Sequence, residues 1–306
     1  MKPWMVVVNP AAGNQRGRED WGEIARLLDQ HEIHHDHRFT ESPRHGLTLI
    51  RDCLAGGYRQ FIIAGGDGLL SEAVNAIFTQ TAVDPALVTL ALVPVGTGND
   101  WARTFKLPAD YRAAVETIRQ GKTLWHDVGR VFYQVGQQEQ SWYFLNMCGL
   151  GFDAEVNQKV AADRATGDLG PLKYRYHIFS TLMGYEPTRM TLDIDGTEVC
   201  HEVLSLALGI GQYHGGGMKQ LPSAVPDDGL FDLSVIERIS RLKALRSVSK
   251  LYDGSFVELP EVSTYRGKAI RIASEPACRL EADGEALGQS PFRFEIYPRR
   301  LQVLIA

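Results

Sequence analysis

The sequence predicts an α/β domain built on a parallel sheet, followed by a mostly antiparallel β domain. Three observations carry this. Up to Gly121, short β-branched apolar runs alternate with stretches whose apolar residues recur at helical spacing. After Gly121, strand-like runs follow one another with turn residues between them. The closing run "LQVLIA" is again a buried strand, able to return to the first sheet. These readings divide the chain into residues 1–122, joined by a strand at 296–306, and residues 123–295.

The first domain is justified element by element. "WMVVVN" (Trp4–Asn9) is a strand that ends in Asn-Pro-Ala-Ala-Gly. Trp21, Ile24, Leu27 and Leu28 then share one face of a helix, and "HHDHRF" reads as a strand. Leu47, Leu49, Ile50 and Leu54 mark a helix over Gly46–Ala55. "QFIIA" (Gln60–Ala64) is a buried strand, and Ala73, Val74 and Ile77 carry the helix after it. "VTLALVPV" is the next strand, followed by "GTGND" and a further helix. Such alternation argues for a parallel sheet covered on both faces. Ligands of such sheets bind at the loops leaving the C-terminal strand ends. In the second domain the strands "HDVGRVFYQV", "QSWYFLNM", "RMTLDIDG", "VLSLALGI", "FDLSVI", "KAIRIA" and "FRFEIY" are broken by helical intervals near Ala154–Tyr185 and Arg241–Leu251.

Composition narrows the function. The 44% hydrophobic and 23% charged residues suit a globular chain with a sizeable core. The formal charge of −5, with no module of interleaved basic and aromatic residues, argues against nucleic acid. Cys53, Cys148, Cys200 and Cys278 lie far apart without metal-ligand spacing and read as small buried hydrophobes. No apolar run approaches the roughly 18 residues of a membrane helix, and "MKPWMVVVNP" has no signal-peptide core. The expected setting is a reducing cytoplasm. His34, His35 and His37 resemble a metal cluster, but on a strand they alternate between faces, which favours a solvated strand.

Chemistry concentrates in "AGGDGLL". A glycine-rich turn between a buried strand and a helix lets backbone N–H groups approach an anion, and the helix N-terminus adds its dipole. Gly65, Gly66 and Gly68 therefore read as a phosphate cradle. Asp67 would repel a bare phosphate; it fits if a divalent cation bridges it to the ligand, or if it holds the loop's own amides. Two other strands of the sheet end in similar loops. They are "NPAAGNQRG", with Asn9 and Arg16, and "PVGTGNDWAR", with Gly96, Thr97, Gly98, Asn99 and Asp100. Three such loops at one edge would surround a polyanion.

These residues strongly resemble the catalytic domain of diacylglycerol kinases and sphingosine kinases, in its bacterial soluble lipid-kinase branch. "GGDG", "SEAVNAI" and "VPVGTGNDWART" carry the likeness, and "NMCGLGFDAEV", "LPSAVPDDGLFDL" and "LEADGEAL" continue it in order. NAD kinases share the GGDG turn, but "GTGNDWAR" is similar to the lipid-kinase branch. The resemblance implies a Rossmann-like nucleotide domain, a C-terminal antiparallel β-sandwich and an active cleft between them. It implies transfer of the γ-phosphate of ATP, with Mg²⁺, to a diacylglycerol-like or phosphatidylglycerol-like hydroxyl. Asp283 or Glu285 is then the general base. Asp228 matches a structural Mg²⁺ ligand, with the carbonyls of Val225 and Leu230. Thr40 and Thr97 match nucleotide contacts, and Asn9 holds the first loop or touches phosphate.

The chain departs from the family at Leu69, where GGDGT is usual, and at Ser71, where Asn is common. A lost charge-assisted hydrogen bond costs about 1.5–3 kcal/mol, enough to weaken ATP binding. Two rival readings follow: a same-fold kinase of a soluble hydroxyl such as NAD or a polyol, and a non-catalytic nucleotide or lipid sensor. "GQYHGGGMKQLP" is expected to shape the acceptor cleft. "LKYRYHIFSTLMGY" mixes Lys173 and Arg175 with Tyr174, Tyr176, Phe179 and Met183, as an interfacial helix would; the bland alternative is a helix packed on the sandwich. The expected partners are a lipid substrate at the inner membrane face and, with the oligomeric state left open, a second copy in a homodimer.

Overall fold

The computed structural model describes residues 2–165 and 171–306. Apolar runs with side chains alternating about the strand give β1 (Trp4–Val8), β3 (Gln60–Gly65) and β4 (Thr89–Pro94). Met5, Val7, Phe61, Ile63, Leu90 and Leu92 enter a core under α3 (His45–Ala55) and α4 (Asp67–Thr79). Val6, Val8, Ile62, Ala64, Ala91 and Val93 enter the opposite core, under α2 (Trp21–Gln30) and α6 (Tyr111–Gln120). Because residues i and i+1 of each strand face different layers, the positions inside each strand are apolar on both faces, and polar Gln60 and Thr89 stand only at strand starts. Short helices α1 (Arg16–Glu19) and α5 (Asp100–Thr104) complete this half.

The edge strand is β2 (His35–Phe39), paired in parallel with β1. Its outer face is covered in part by Trp21, whose ring lies 4.9 Å from that of His37, 6.1 Å from His35 and 6.0 Å from Phe39. Among the described residues no group of three or more His, Cys, Asp or Glu is placed to hold a metal. His34 precedes the strand, and His35 and His37 share the face against Trp21 rather than alternating between faces.

The second half contains β5 (Thr123–Val135), β6 (Gln138–Phe144), β7 (Met147–Gly151), α7 (Phe152–Ala165), α8 (Pro171–Gly184), β8 (Thr188–Ile194) and β9 (Thr197–Gly209). It continues with β10 (Phe231–Glu237), α9 (Arg241–Asp253), β11 (Val262–Gly267), β12 (Ala269–Glu275), β13 (Arg279–Ala282) and β14 (Glu285–Leu304). These strands enclose a third core around Phe144, Phe231, Phe292 and Phe294. The architecture is thus an α/β layer followed by a β-sandwich. Among the described residues, the helical interval expected near Ala154–Tyr185 contains α7 and α8.

One strand joins the halves. β14 pairs antiparallel with β5, β12 and β13, and its end at Gln302–Val303 pairs in parallel with β4. The strand order runs β11-β10-β9-β7-β13-β14-β4-β3-β1-β2, continuous from one domain into the other. Helix α4 adds a second link. Asn75, buried on α4, donates to the Tyr143 carbonyl at 2.7 Å and accepts from the Tyr143 N–H at 2.9 Å. Ser71, one turn earlier, accepts from the Trp142 indole at 3.1 Å.

The cysteine expectation needs one correction. Cys53, Cys148 and Cys278 are buried, but Cys200 is exposed beside Thr191. It lies on the first half of β9, which runs past the core before its buried half begins.

Candidate active site

Three loops meet at the C-terminal edge of the parallel sheet, because β1, β3 and β4 are adjacent. Their approach leaves no room for side chains. A Cβ on Gly96 would lie 2.6 Å from the Gly66 Cα, and one on Gly13 would lie 2.2 Å from the Val95 carbonyl oxygen. The Gly65 carbonyl accepts from both Val95 (2.8 Å) and Gly96 (3.1 Å). Asn9 accepts from the Ala11 N–H through its side chain at 3.0 Å, so it braces the first loop. Thr40 is buried just beyond β2, its N–H on the Val8 carbonyl. Thr97 is exposed at the tip of the third loop.

Helix α4 begins in this cradle without a side-chain cap, and a Cβ on Gly68 would meet nothing within 4 Å. Bare N–H groups at an open helix start suit an anion. Leu69 does not face the opening. It is 4% exposed and packs beneath the turn, close to Gly46 and Gly65, in the core where α3 meets α4.

Asp67 accepts from the N–H groups of Asp100 (3.0 Å) and Trp101 (3.2 Å), one on each oxygen. It thereby ties the second loop to the start of α5. Burial pushes its carboxyl up, and the nearby Asp100 adds to that. Asp100 in turn accepts from Gly216 (2.8 Å) and Gly217 (2.7 Å), in the glycine-rich loop of the other domain. Asn99 takes a left-handed backbone and donates to the Gly96 carbonyl at 2.7 Å.

Across the cleft, β13 and β14 are joined by Asp283-Gly284, both with positive φ. Asp283 is buried. One oxygen accepts from the Asn146 (3.1 Å) and Met147 (2.9 Å) N–H groups, the other from Leu145 (2.9 Å). Burial raises its carboxyl to about 7, against the pull of those three amides. Glu285 is 28% exposed, with the Arg44 guanidinium 3.6 Å away. Arg44 stands at the start of α3, where its N–H also donates to Glu72 at 3.1 Å. Glu285 therefore lies at a contact between the two halves.

Residues 3–131 match the family described as the diacylglycerol kinase catalytic domain, and residues 146–305 match the YegS C-terminal NAD kinase beta sandwich-like domain. The chain is 33% identical to the diacylglycerol kinase of Mycobacterium tuberculosis over 84% of its own length and 80% of that protein's. The chain belongs to the diacylglycerol kinase family. It is 26% identical to a diacylglycerol kinase of Staphylococcus carnosus, over 97% of this chain and 93% of that one. A crystal structure of a diacylglycerol kinase from Bacillus anthracis shares the fold with a TM-score of 0.75 at 21% identity, covering 99% and 97% of the two chains. Yeast NADH kinase shares it more distantly, with a TM-score of 0.56 at 13% identity, over 98% and 82%. Members of this family are phosphotransferases, which use ATP and typically a divalent cation.

The kinase keeps a second buried polar cluster next to the Asp283-Gly284 turn. His214, from the loop that reaches Asp100, places Nε2 2.7 Å from a Glu281 oxygen and is 13% exposed. Burial alone would lower its imidazole, but Glu281 outweighs that, and with Asp100 and Asp153 raises it to about 10. The other Glu281 oxygen accepts from Gly284 (2.9 Å) and Asn157 (3.2 Å). Asp153 accepts from Ser205 at 2.7 Å, and burial raises its carboxyl.

The expected cation stretch is folded differently from an open metal site. One Asp228 oxygen accepts from the Leu230 N–H at 3.0 Å, and the other is held by the Arg266 guanidinium. Arg266 also donates to Asp232 at 3.2 Å. Asp127 on β5 accepts from Gly229 (2.6 Å) and Arg299 (2.7 Å). Val225 is exposed. A guanidinium thus holds the carboxylate that the resemblance assigns to a structural cation.

Sequence reasoning singled out most cradle residues but missed Asn75, Asp127, His214, Glu281 and Arg266. Four of them sit inside quoted motifs as unassigned letters. Arg266 lies on β11, far along the chain from Asp228, and no local signal pointed to it. In α8, Tyr176, Phe179 and Met183 are exposed while Leu182 is buried; the side chains of Tyr174 and Arg175 lie outside the described residues. Among the described residues, no helix is long and apolar enough to cross a membrane.

Proposed function

We propose that this chain transfers the γ-phosphate of ATP·Mg²⁺ to a lipid hydroxyl of the diacylglycerol or phosphatidylglycerol type, with Glu285 as general base. One observation carries the reading: a partly exposed carboxylate at Glu285, ion-paired with Arg44, stands on the turn whose Asp283 feels the charge of Asp67 in the glycine cradle, beside the uncapped start of α4. Phosphoryl transfer needs little else than positioning, charge neutralisation and a proton acceptor. Asp283 has a titration range suited to a base, but both its oxygens accept backbone amides, three in all, which fix the side chain against the Leu145–Met147 segment. In this reading it holds the turn so that Glu285 projects correctly. Gly65, Gly66, Gly68, Gly96, Thr97 and Asn99 bind phosphates, and Thr40 contacts the nucleotide. Asp67 and Asp100 fix the loops that do so. The Mg²⁺ that accompanies ATP neutralises phosphate charge; no protein step is routed through it.

The test is transfer of labelled phosphate from ATP into a panel of micellar lipids, with NAD and soluble polyols alongside. Label in one lipid and none in soluble acceptors supports the reading. Label in NAD would favour the alternative, a soluble-acceptor kinase, for which the likeness to yeast NADH kinase speaks. Nucleotide binding with no transfer at all would favour the sensor.

A further inference from the structure

Helix α9 (Arg241–Asp253) has its apolar stripe on the wrong side for a globular protein. None of its residues is buried. Leu242, Leu245, Val248 and Tyr252 are 59%, 42%, 40% and 51% exposed, and their spacing puts them on one face. The half-buried Ala244, Ser247 and Leu251 lie on the face towards the protein.

Charge follows the same stripe. Residues 238–253 carry Arg238, Arg241, Lys243, Arg246 and Lys250 but a single acid, Asp253, in a chain of formal charge −5. Lys243 is paired with Glu261 at 2.5 Å, and Arg238 and Arg241 lie at 3.8 Å from Glu186. Arg246 and Lys250, one turn apart along the flank of the apolar stripe, have no salt bridge among the described residues. An apolar face edged by cations on an otherwise acidic protein complements an anionic bilayer.

The helix is also anchored beside the cleft. The Leu251 carbonyl accepts from the Lys219 N–H at 2.6 Å, and Gly254 lies against Pro222. Lys219 follows the loop whose Gly216 and Gly217 cap Asp100. At its other end, Arg241 faces Glu186, just beyond α8.

We propose that the exposed face of α9 is a docking surface for an anionic lipid bilayer, laying the acceptor side of the cleft against the membrane. This deepens the lipid-acceptor reading and rests on it for its purpose. The test is co-sedimentation with phosphatidylglycerol–phosphatidylcholine vesicles, without nucleotide. The variants are Leu245→Glu/Val248→Glu and Arg246→Glu/Lys250→Glu, each checked for wild-type melting temperature and for transfer to a water-soluble short-chain diacylglycerol.

The wild type binds mixed vesicles and not pure phosphatidylcholine. Each variant loses about tenfold or more in bound fraction, with soluble-acceptor activity unchanged. Undiminished vesicle binding by both variants overturns the proposal. So does a wild-type dimer that Leu245→Glu/Val248→Glu dissolves, which would make the face an interface between copies. Vesicle binding that depends on α9, in a chain that phosphorylates no lipid, would sink the kinase reading and leave the docking surface standing.

Discussion

A carboxylate that accepts three backbone N–H bonds has little left to offer a substrate proton. That is the state of Asp283, while Glu285, two residues on, accepts no backbone N–H and pairs with the half-exposed Arg44 guanidinium at 3.6 Å. The difference arises from the turn: positive φ at Asp283 and Gly284 folds the first side chain under the Leu145–Met147 segment. His214 and Glu281 form the other decisive pair, and they make a pH prediction. In the unfolded chain His214 titrates near its ordinary 6.5, but in the fold near 10. The folded state therefore holds an extra proton between those values. That stability is complete below about pH 6.5 and is lost as pH rises through about 10. Glu281→Gln, which removes the anion responsible, should flatten the decline in melting temperature over that interval. The wild type should lose about 5 °C there; equal slopes in the two proteins would remove the ion pair from the account.

At the scale of elements, α4 does two things. Its start completes the cradle, and its middle docks on β6 through Ser71 and Asn75. Asn75→Ala leaves the Tyr143 N–H and carbonyl unpaired in a buried place, at a cost of about 2–4 kcal/mol in urea unfolding. A loss below about 0.5 kcal/mol would show that the docking is carried by apolar packing alone. The elements themselves were legible in the sequence, since period-2 and helical repeats follow from what each face must bury. The three loops were legible too, because glycines at strand ends serve close backbone approach. What sequence could not give was partnership across the chain: Asn75 with Tyr143, Asp100 with Gly216, Asp283 with Leu145. Each depends on which loops the sheet order brings together. Where the Leu69 side chain goes was likewise not legible. A residue in a phosphate-loop motif looks like a ligand contact until packing shows its side chain turned into the core between α3 and α4.

For the whole molecule, β14 makes the two domains one sheet, and the resemblance implied a structural cation at Asp228. Arg266 stands in that place. The fold should accordingly be indifferent to chelation: EDTA should move the melting temperature of the nucleotide-free protein by less than about 1 °C, whereas one bound cation at a hundred times its dissociation constant adds about 2.7 kcal/mol. Removal of the guanidinium in Arg266→Met should create a dependence on added Mg²⁺. A wild type that loses several degrees in EDTA would restore the metal and displace the arginine. Catalysis is a separate matter, because the cation carried by ATP is needed whatever holds the loop.

The central claim is that Glu285 takes the proton and Asp283 builds the turn. The most direct measurement compares Glu285→Gln with Asp283→Asn, reading labelled phosphate transfer to diacylglycerol micelles beside the melting temperature. Glu285→Gln should keep the wild-type melting temperature and nucleotide affinity and lose about 10²–10⁴-fold in kcat. Asp283→Asn presents an amide donor to a backbone N–H and should lose stability along with activity. Full activity in Glu285→Gln, with a stable but inactive Asp283→Asn, would contradict the account and make Asp283 the base.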